Sequence, residues 1–220
     1  TLSGSFITDL SVDSIEILTL DAGGDSNRAY VVLPPGRDEA WCVDPSYAAR
    51  PILEACRRRQ RRLTWILLTH THQDHVAGVE EVRAVFPCPV WVHPAETRSV
   101  AGARAIPGDG PLPEPREVEV FHTPGHTPGG VCYRIGGHLF TGDTLFVDWV
   151  GRADLPGGDP AALFRSLQRL RELPGDLVLH PGHHYGSVPS RTLGEEVLVN
   201  PFLGARDFAE FLRRLPELTD

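Results

Sequence analysis

The chain contains 220 residues, with 29 acidic and 21 basic side chains and a formal net charge of −8. Every basic residue is an arginine, which excludes Schiff-base lysines, P-loop lysines and Ser-Lys catalytic pairs. The net negative charge argues against nucleic-acid binding. The sequence has no apolar run of about 18 residues, so no membrane span is predicted. Because no signal peptide is recognisable either, we expect a cytoplasmic protein without nucleic-acid or membrane partners.

The first half of the chain alternates strand-like and turn-forming segments. Strands are predicted at 6–10, 15–20, 29–33 and 40–43. A helix is predicted at 48–62, followed by a buried strand at 63–69, a polar loop at 70–75, a helix at 76–86 and a strand at 90–93. Arginines occupy positions 57, 58, 59, 61 and 62, at the end of the predicted helix. Cations are favourable there, so we interpret the run as a solvent-exposed helix end and not as a binding patch.

The second half repeats this organisation after a loop rich in Gly and Pro at 101–116. Strands are predicted at 118–121, 131–135, 138–141 and 177–180, and helices at 160–173, 192–199 and 205–215. Asp159 is expected to cap the first of these helices, with Pro160 in its first turn. Two blocks of strands, each followed by helices, predict one α/β domain over 1-220 with two packed sheets, helices outside and short C-terminal helices from about 192.

The most informative motif is His70-Thr-His72-Gln-Asp74-His75, between a buried strand and a helix. Neutral imidazoles and carboxylates are the ligands that borderline divalent metals prefer. Because alternate residues of an extended loop project the same way, His70 and His72 can share one metal ion. Asp74 and His75 then turn toward a neighbouring position at the start of the helix.

Three further motifs follow other predicted strands, and each contains potential ligands. They are His122-Thr-Pro-Gly-His126, Phe140-Thr-Gly-Asp143 and His180-Pro-Gly-His183-His184. All of these groups lie just beyond the carboxyl end of a strand, so we expect them at one edge of the fold. Such a set suits two metal ions about 3.5–4 Å apart that share a carboxylate. Only one of His122 and His126 is expected to reach the metal, and some of the three histidines at 180, 183 and 184 are expected to orient ligands instead.

With these motifs the sequence resembles the metallo-β-lactamase superfamily, from about residue 15 to 202. The resemblance rests on His70-x-His72-x-Asp74-His75, Thr123-Pro-Gly-His126, Thr141-Gly-Asp143 and Pro181-Gly-His183. It implies an αββα sandwich of two mixed sheets with helices outside. It also implies that His70, His72 and His126 bind the first metal, that Asp74, His75 and His183 bind the second, and that Asp143 bridges both. The remaining His122, His180 and His184 are then expected to orient ligands.

Within that superfamily, Gly151-Arg152-Ala-Asp154 and its flanks resemble the short bacterial glyoxalase II and persulfide dioxygenase branches. The first branch implies hydrolysis of a thioester of the S-lactoylglutathione (hydroxyacylglutathione) type by a metal-bound hydroxide, with Asp74 as the catalytic residue that orients it. We expect Arg152 to bind a substrate carboxylate, with an ion pair to Asp154 or Asp159 as the alternative. Tyr185 is expected to line the same pocket.

The implied cofactors are two divalent metal ions, with zinc expected and iron or manganese as alternatives. The implied partner is a small-molecule substrate, such as a conjugate of glutathione or of another thiol. The competing hypothesis is a persulfide dioxygenase, with a single iron bound by the residues matching His70, His126 and Asp143. A third hypothesis, a protein that binds metal without turnover, is disfavoured by the complete ligand set.

Overall fold

The structure, a computed structural model, describes residues 14–215, and its strands form two mixed sheets. The strands of the first sheet are β1 (Glu16–Asp21), β2 (Arg28–Leu33), β3 (Glu39–Val43), β4 (Arg62–Leu67), β5 (Val90–Val92) and β6 (Arg104–Ala105). They lie side by side in chain order. Strands β1 to β3 pair antiparallel, whereas β3 to β6 pair in parallel. The carboxyl ends of β3 and β4 therefore meet at one edge.

The second sheet has five strands in the order β11-β10-β9-β8-β7. They are β7 (Gly110–Pro111), β8 (Val118–His122), β9 (Val131–Ile135), β10 (His138–Gly142) and β11 (Val178–Pro181). Strand β9 is antiparallel to both β8 and β10, and β11 is parallel to β10. Consequently β8, β10 and β11 run in the same direction, and their carboxyl ends also meet at one edge.

The two sheets pack face to face, and strand periodicity divides their side chains between layers. In β2, Tyr30 and Val32 join the core between the sheets, whereas Ala29, Val31 and Leu33 join the core beneath the helices. The second sheet contributes buried residues of β8, β9 and β10 to the same central core. Burial of this apolar surface is the main force that holds the sheets together.

Helices cover both outer faces and complete the αββα sandwich, so the predicted fold is confirmed. The helices are α1 (Ala49–Arg58), α2 (Gln73–Val76), α3 (Val79–Val85), a 3₁₀ helix (Pro94–Ser99), α4 (Pro160–Leu170), α5 (Leu193–Val199) and α6 (Phe208–Arg214). Ile52 of α1 and Val82 of α3 pack on the first sheet, and Leu167 of α4 and Phe211 of α6 pack on the second. Asp159 caps α4 as predicted, accepting hydrogen bonds from two backbone N–H groups of its first turn.

Helix α1 is shorter than the predicted helix at 48–62. It ends at Arg58 because Gln60 takes a left-handed conformation, with φ of 52°. The N–H of Arg61 then donates to the carbonyl of Cys56, and that of Gln60 to the carbonyl of Arg57, which is the pattern of a Schellman motif. Only part of the arginine run therefore closes the helix, and the last member, Arg62, begins β4.

The predicted loop at 70–75 is wrong in its second half, because residues 73–76 form the helical turn α2. Gly78 separates α2 from α3. A Cβ atom at Gly78 would lie 2.8 Å from the carbonyl oxygen of Ser46, so a larger residue would push α2 away from the loop after β3. The predicted loop at 101–116 contains the two short edge strands β6 and β7.

The strand predicted at 6–10 lies outside the described residues. Within 14–215, the structure contains no helix with both the length and the apolar character needed to cross a membrane.

Candidate metal centre

All seven predicted ligands lie at one edge of the sandwich. His70 lies just beyond the end of β4 in the first sheet. His126, Asp143 and His183 follow β8, β10 and β11 of the second sheet. The site is therefore assembled from both sheets, at the edge where their parallel strands end.

One group of ligand atoms comes from His70, His72 and His126, and these atoms lie within 4.8 Å of one another. The Nδ1 of His72 is 2.9 Å from the Nε2 of His126. Burial lowers the pKa of His70 well below its ordinary value and also lowers that of His72. Both imidazoles are therefore neutral at pH 7, the form that offers a lone pair to a metal ion.

A second group comes from Asp74, His75 and His183, again with ligand atoms within 4.8 Å. The Nε2 of His183 is 3.2 Å from the Nε2 of His75 and 3.4 Å from Oδ2 of Asp74. The buried amide of Asn27 donates to the same Asp74 oxygen at 2.9 Å and holds that carboxylate in place. These two groups coincide with the two ligand sets that the sequence resemblance implies.

The carboxylate of Asp143 lies between the two groups. Its Oδ2 is 3.5 Å from the Nε2 of His126 and 3.3 Å from that of His183, and its Oδ1 is 3.4 Å from the Nε2 of His75. Burial opposes ionisation, but His75 and His183 together hold the pKa of Asp143 well below its usual range. This placement suits a carboxylate that bridges two cations.

Glycine at position 182 permits this close approach. A Cβ atom there would lie 2.2 Å from Oδ1 of Asp143 and 2.7 Å from Cε1 of His75. The Pro-Gly-His motif after β11 therefore needs its glycine for packing against the ligands.

Two atoms of this centre are buried without a hydrogen-bond partner, namely the Nε2 of His70 and the Oδ1 of Asp143. Burying such polar atoms unpaired is costly, and native proteins rarely do so. A divalent cation in each group would satisfy both atoms, and a set of imidazole and carboxylate donors suits zinc, iron or manganese. The residues present therefore fit the implied metal ions.

Backbone carbonyl groups fix the orientation of two of these histidines. The Nδ1 of His126 donates to the carbonyl of Arg152 at 2.7 Å, and the Nδ1 of His183 donates to the carbonyl of Asp25 at 2.7 Å. Because Nδ1 carries the proton in each ring, Nε2 keeps its lone pair and faces the centre.

Asp44 contacts the predicted ligand His75, although it is not among the residues predicted from the sequence. Its carboxylate accepts from the N–H and hydroxyl of Thr69 at 2.8 and 2.5 Å and from the Nδ1 of His75 at 3.1 Å. Its oxygens also lie near ligand atoms of His70 and His75. Thr69 holds the carboxylate in place, and the hydrogen bond from Nδ1 of His75 indicates that Asp44 orients this ring. Its position directly after β3 is the signal that could have identified it, whereas nothing in the sequence singles out Asn27.

Replacement of Asp44 by Asn is expected to weaken metal binding in the group that contains His75 by about 10- to 100-fold. The neutral amide no longer stabilises the proton on Nδ1 of His75. Competition with a chelator measures the affinity. Asp38→Asn is the matched control, because Asp38 is exposed and precedes β3, at the opposite end of that strand from Asp44. Equal affinities for the two variants would contradict this role for Asp44.

The three histidines expected to orient ligands form hydrogen bonds elsewhere, so that prediction is wrong. His122 donates from Nε2 to the carbonyl of Pro128. The Nε2 of His180 is 2.9 Å from the Nδ1 of His138, and burial lowers the pKa of His180 to about 3. His184 lies 2.9 Å from the guanidinium of Arg28. Backbone carbonyls and Asp44 orient the ligands instead.

A cavity of about 590 Å³ opens beside the centre, and both predicted substrate-binding residues line it. The guanidinium of Arg152 forms a bidentate pair with Asp154, at 3.0 and 2.5 Å, which is one of the two alternatives for this residue. The Tyr185 ring stacks on His183 with centroids 4.9 Å apart, and its hydroxyl donates to the Asp25 carboxylate at 2.7 Å.

Comparison with known proteins agrees with this geometry. The family model described as "Metallo-beta-lactamase superfamily" matches residues 20–183. A hydroxyacylglutathione hydrolase of Citrobacter koseri is 39% identical over 155 residues, which are 70% of this chain and 61% of that protein. The chain thus spans less than two thirds of the length of that relative.

Two solved structures are similar over most of the chain. ETHE1 from Myxococcus xanthus is 27% identical, with a TM-score of 0.82 and 92% of each chain covered. TTHA1623, solved in a di-iron-bound form, is 32% identical, with a TM-score of 0.74 over 84% of this chain and 99% of that one.

Proposed function

Since this chain belongs to the metallo-beta-lactamase superfamily, we propose that it is a metal-dependent hydrolase that cleaves a thioester of the S-lactoylglutathione type. The observation that carries the proposal is the carboxylate of Asp143, which lies between two groups of three ligand-type side chains. Similarity to the Citrobacter koseri hydroxyacylglutathione hydrolase supports the choice of substrate class.

In the reaction, water adds to the carbonyl carbon of the thioester and the C–S bond breaks, which yields a carboxylic acid and a thiol. Two divalent ions bound here, expected to be zinc, would supply Lewis acidity and lower the pKa of a bound water to about 7. Asp74 is the residue proposed to orient the attacking oxygen, because its carboxylate is held by Asn27 and lines the cavity. The thiol, with an ordinary pKa of about 8.5, leaves without strong acid assistance.

Arg152 and Tyr185 are the residues proposed to bind the substrate. The Arg152 side chain is 58% exposed, so exchanging Asp154 for a substrate carboxylate costs little in this solvated position. Tyr185 offers a ring face beside His183 at the cavity wall. All cysteines are free and buried, which suits the reducing cytoplasm proposed for this enzyme.

A persulfide dioxygenase that acts on glutathione persulfide is the second candidate. It is supported by the resemblance of the Gly-Arg-x-Asp segment to that branch and by the similarity to Myxococcus xanthus ETHE1. Two histidines and one aspartate with open positions are typical of non-haem iron oxygenases. His70, His126 and Asp143 would form that set.

Metal analysis paired with two parallel assays distinguishes the candidates. The protein is purified without added metal, and thioester hydrolysis and oxygen uptake on glutathione persulfide are then measured on the same sample. The hydrolase predicts close to two metal ions per chain and thioester cleavage. One iron per chain with oxygen uptake, and no hydrolysis, would overturn it. Metal identity alone does not decide, because the similar TTHA1623 was solved in a di-iron form.

A further inference from the structure

The cavity beside the metal centre has an apolar wall, of which the proposed function uses only Tyr185. Most of this wall is a tight turn at 145–150, in which the N–H of Phe146 donates to the carbonyl of Trp149 at 3.0 Å. The apolar lining consists of Phe146, Val147, Trp149, Val150, Leu155 and Tyr185. Trp149 is 42% exposed and packs edge-on against Phe202, so it offers apolar surface to a ligand.

A polar network behind the turn holds this wall in place. Asp148, at the corner of the turn with φ of 63°, accepts from the N–H and hydroxyl of Ser187 and from Arg191. Arg191 also pairs at 2.8 Å with Glu196 of α5, whose side chain is fully buried. Asn200, just after α5, donates to the carbonyl of Trp149 at 3.1 Å. The wall is therefore preformed, which lowers the entropic cost of binding a ligand against it.

Away from the metal centre, the charged side chains that line the cavity disfavour an anionic substrate group. Among the described residues that line the cavity, Arg152 is the sole Lys or Arg side chain, and it is paired with Asp154. Apart from the proposed ligands, the lining includes the carboxylates of Asp25 and Asp148. Hydrogen bonds from Ser187, aided by Arg191, lower the pKa of Asp148 to about 2, so it is ionised at neutral pH. Arg152 can bind at most one of the two carboxylates of a glutathione conjugate, and only by releasing Asp154, so the second carboxylate finds no cationic side chain in this lining.

From this lining we infer that the cavity binds an uncharged, apolar group adjacent to the scissile bond. The inference rests on the proposed thioester hydrolysis. It predicts that an apolar thioester on a neutral carrier is cleaved with a higher kcat/KM than S-lactoylglutathione. Burial of each methylene group is worth up to about fourfold in kcat/KM. A four-carbon extension is therefore expected to raise kcat/KM at least ~10-fold, even with partial burial.

Two substrate series test the inference and identify which side of the thioester carries the apolar group. The first varies the acyl chain from acetyl to hexanoyl on N-acetylcysteamine. The second varies the thiol from ethanethiol to hexanethiol on an acetyl group. S-lactoylglutathione is the common reference.

A gain of at least ~10-fold in either series, with the longest member cleaved better than S-lactoylglutathione, supports the inference. Flat profiles in both series, or S-lactoylglutathione as the best substrate, would overturn it and leave the hydrolase proposal intact. Cleavage of none of these thioesters by metal-loaded protein would overturn the hydrolase proposal itself.

Variants then locate the binding surface. Trp149→Ala is expected to reduce the chain-length gain by at least ~3-fold and to leave cleavage of the shortest substrate nearly unchanged. Leu198→Ala is the matched control, because Leu198 is 84% exposed on α5 and does not line the cavity, and it should keep the full gain. If Trp149→Ala does not fold, as judged by thermal melting, Leu155→Asn provides the same test. A full gain in the folded variant would overturn the assignment of this wall.

Discussion

Replacement of Asp143 by Asn is expected to prevent the protein from binding two metal ions side by side. Asp143 is 8% exposed, and its carboxylate lies within 3.5 Å of imidazole nitrogens from both ligand groups. An amide has nearly the same shape but lacks the charge that would bind two cations at once. We expect fewer than about one metal ion per chain and a loss of at least ~1,000-fold in thioester hydrolysis.

This result would follow from the missing charge and not from a general loss of structure. Elemental analysis gives the metal content, and circular dichroism with thermal melting reports the fold. Asp38→Asn removes the same charge from an exposed site before β3 and should keep metal and activity. Retention of two metal ions and full activity by Asp143→Asn would show that the bridging assignment is wrong.

The second large effect is expected for His183→Ala, which removes a ligand from one group only. Nε2 of His183 lies 3.2 Å from that of His75 and 3.3 Å from Oδ2 of Asp143, whereas the three histidines of the other group stay in place. We expect the metal content to fall from two ions toward one and hydrolysis to fall at least ~100-fold.

The same variant separates the two candidate functions. A hydrolase that needs both ions is crippled, but a dioxygenase with iron bound by His70, His126 and Asp143 keeps most of its oxygen uptake. His93→Ala serves as the histidine control, because His93 stacks on His122 away from the ligand groups. Hydrolysis at the wild-type rate by His183→Ala would contradict a two-metal mechanism.

The sequence was sufficient to predict that the seven candidate ligand side chains lie together, because they are concentrated in short motifs at strand ends. His70, His72, Asp74 and His75 lie within six consecutive residues, and Asp143 directly follows a strand. Parallel strands bring such positions to one edge whatever the details of the loops. The αββα arrangement followed from the two blocks of strands and from the family resemblance.

Contacts between distant segments were not predictable in the same way. Asn27 reaches Asp74 across 47 positions, and Glu196 supports the turn at Asp148 across 48. Neither pairing leaves a local pattern in the sequence. The end of α1 was also not predicted. A left-handed residue that ends a helix is usually glycine, but here it is Gln60, so the sequence carries no signal for the end. For Arg152, fork geometry suited a substrate carboxylate and Asp154 equally, and the structure places it on Asp154.

The origin of the ligands in both sheets has a thermodynamic consequence. His70 and His75 belong to the first half of the sandwich, whereas His126, Asp143 and His183 belong to the second. A cation bound by both halves acts as a removable crosslink between layers that otherwise adhere through apolar contact. Because an unfolded chain cannot assemble these ligands, each occupied site stabilises the fold by about 2.7 kcal/mol when free metal is at ~100 times its Kd. The persistence of the folded state is thereby coupled to the supply of metal in its surroundings.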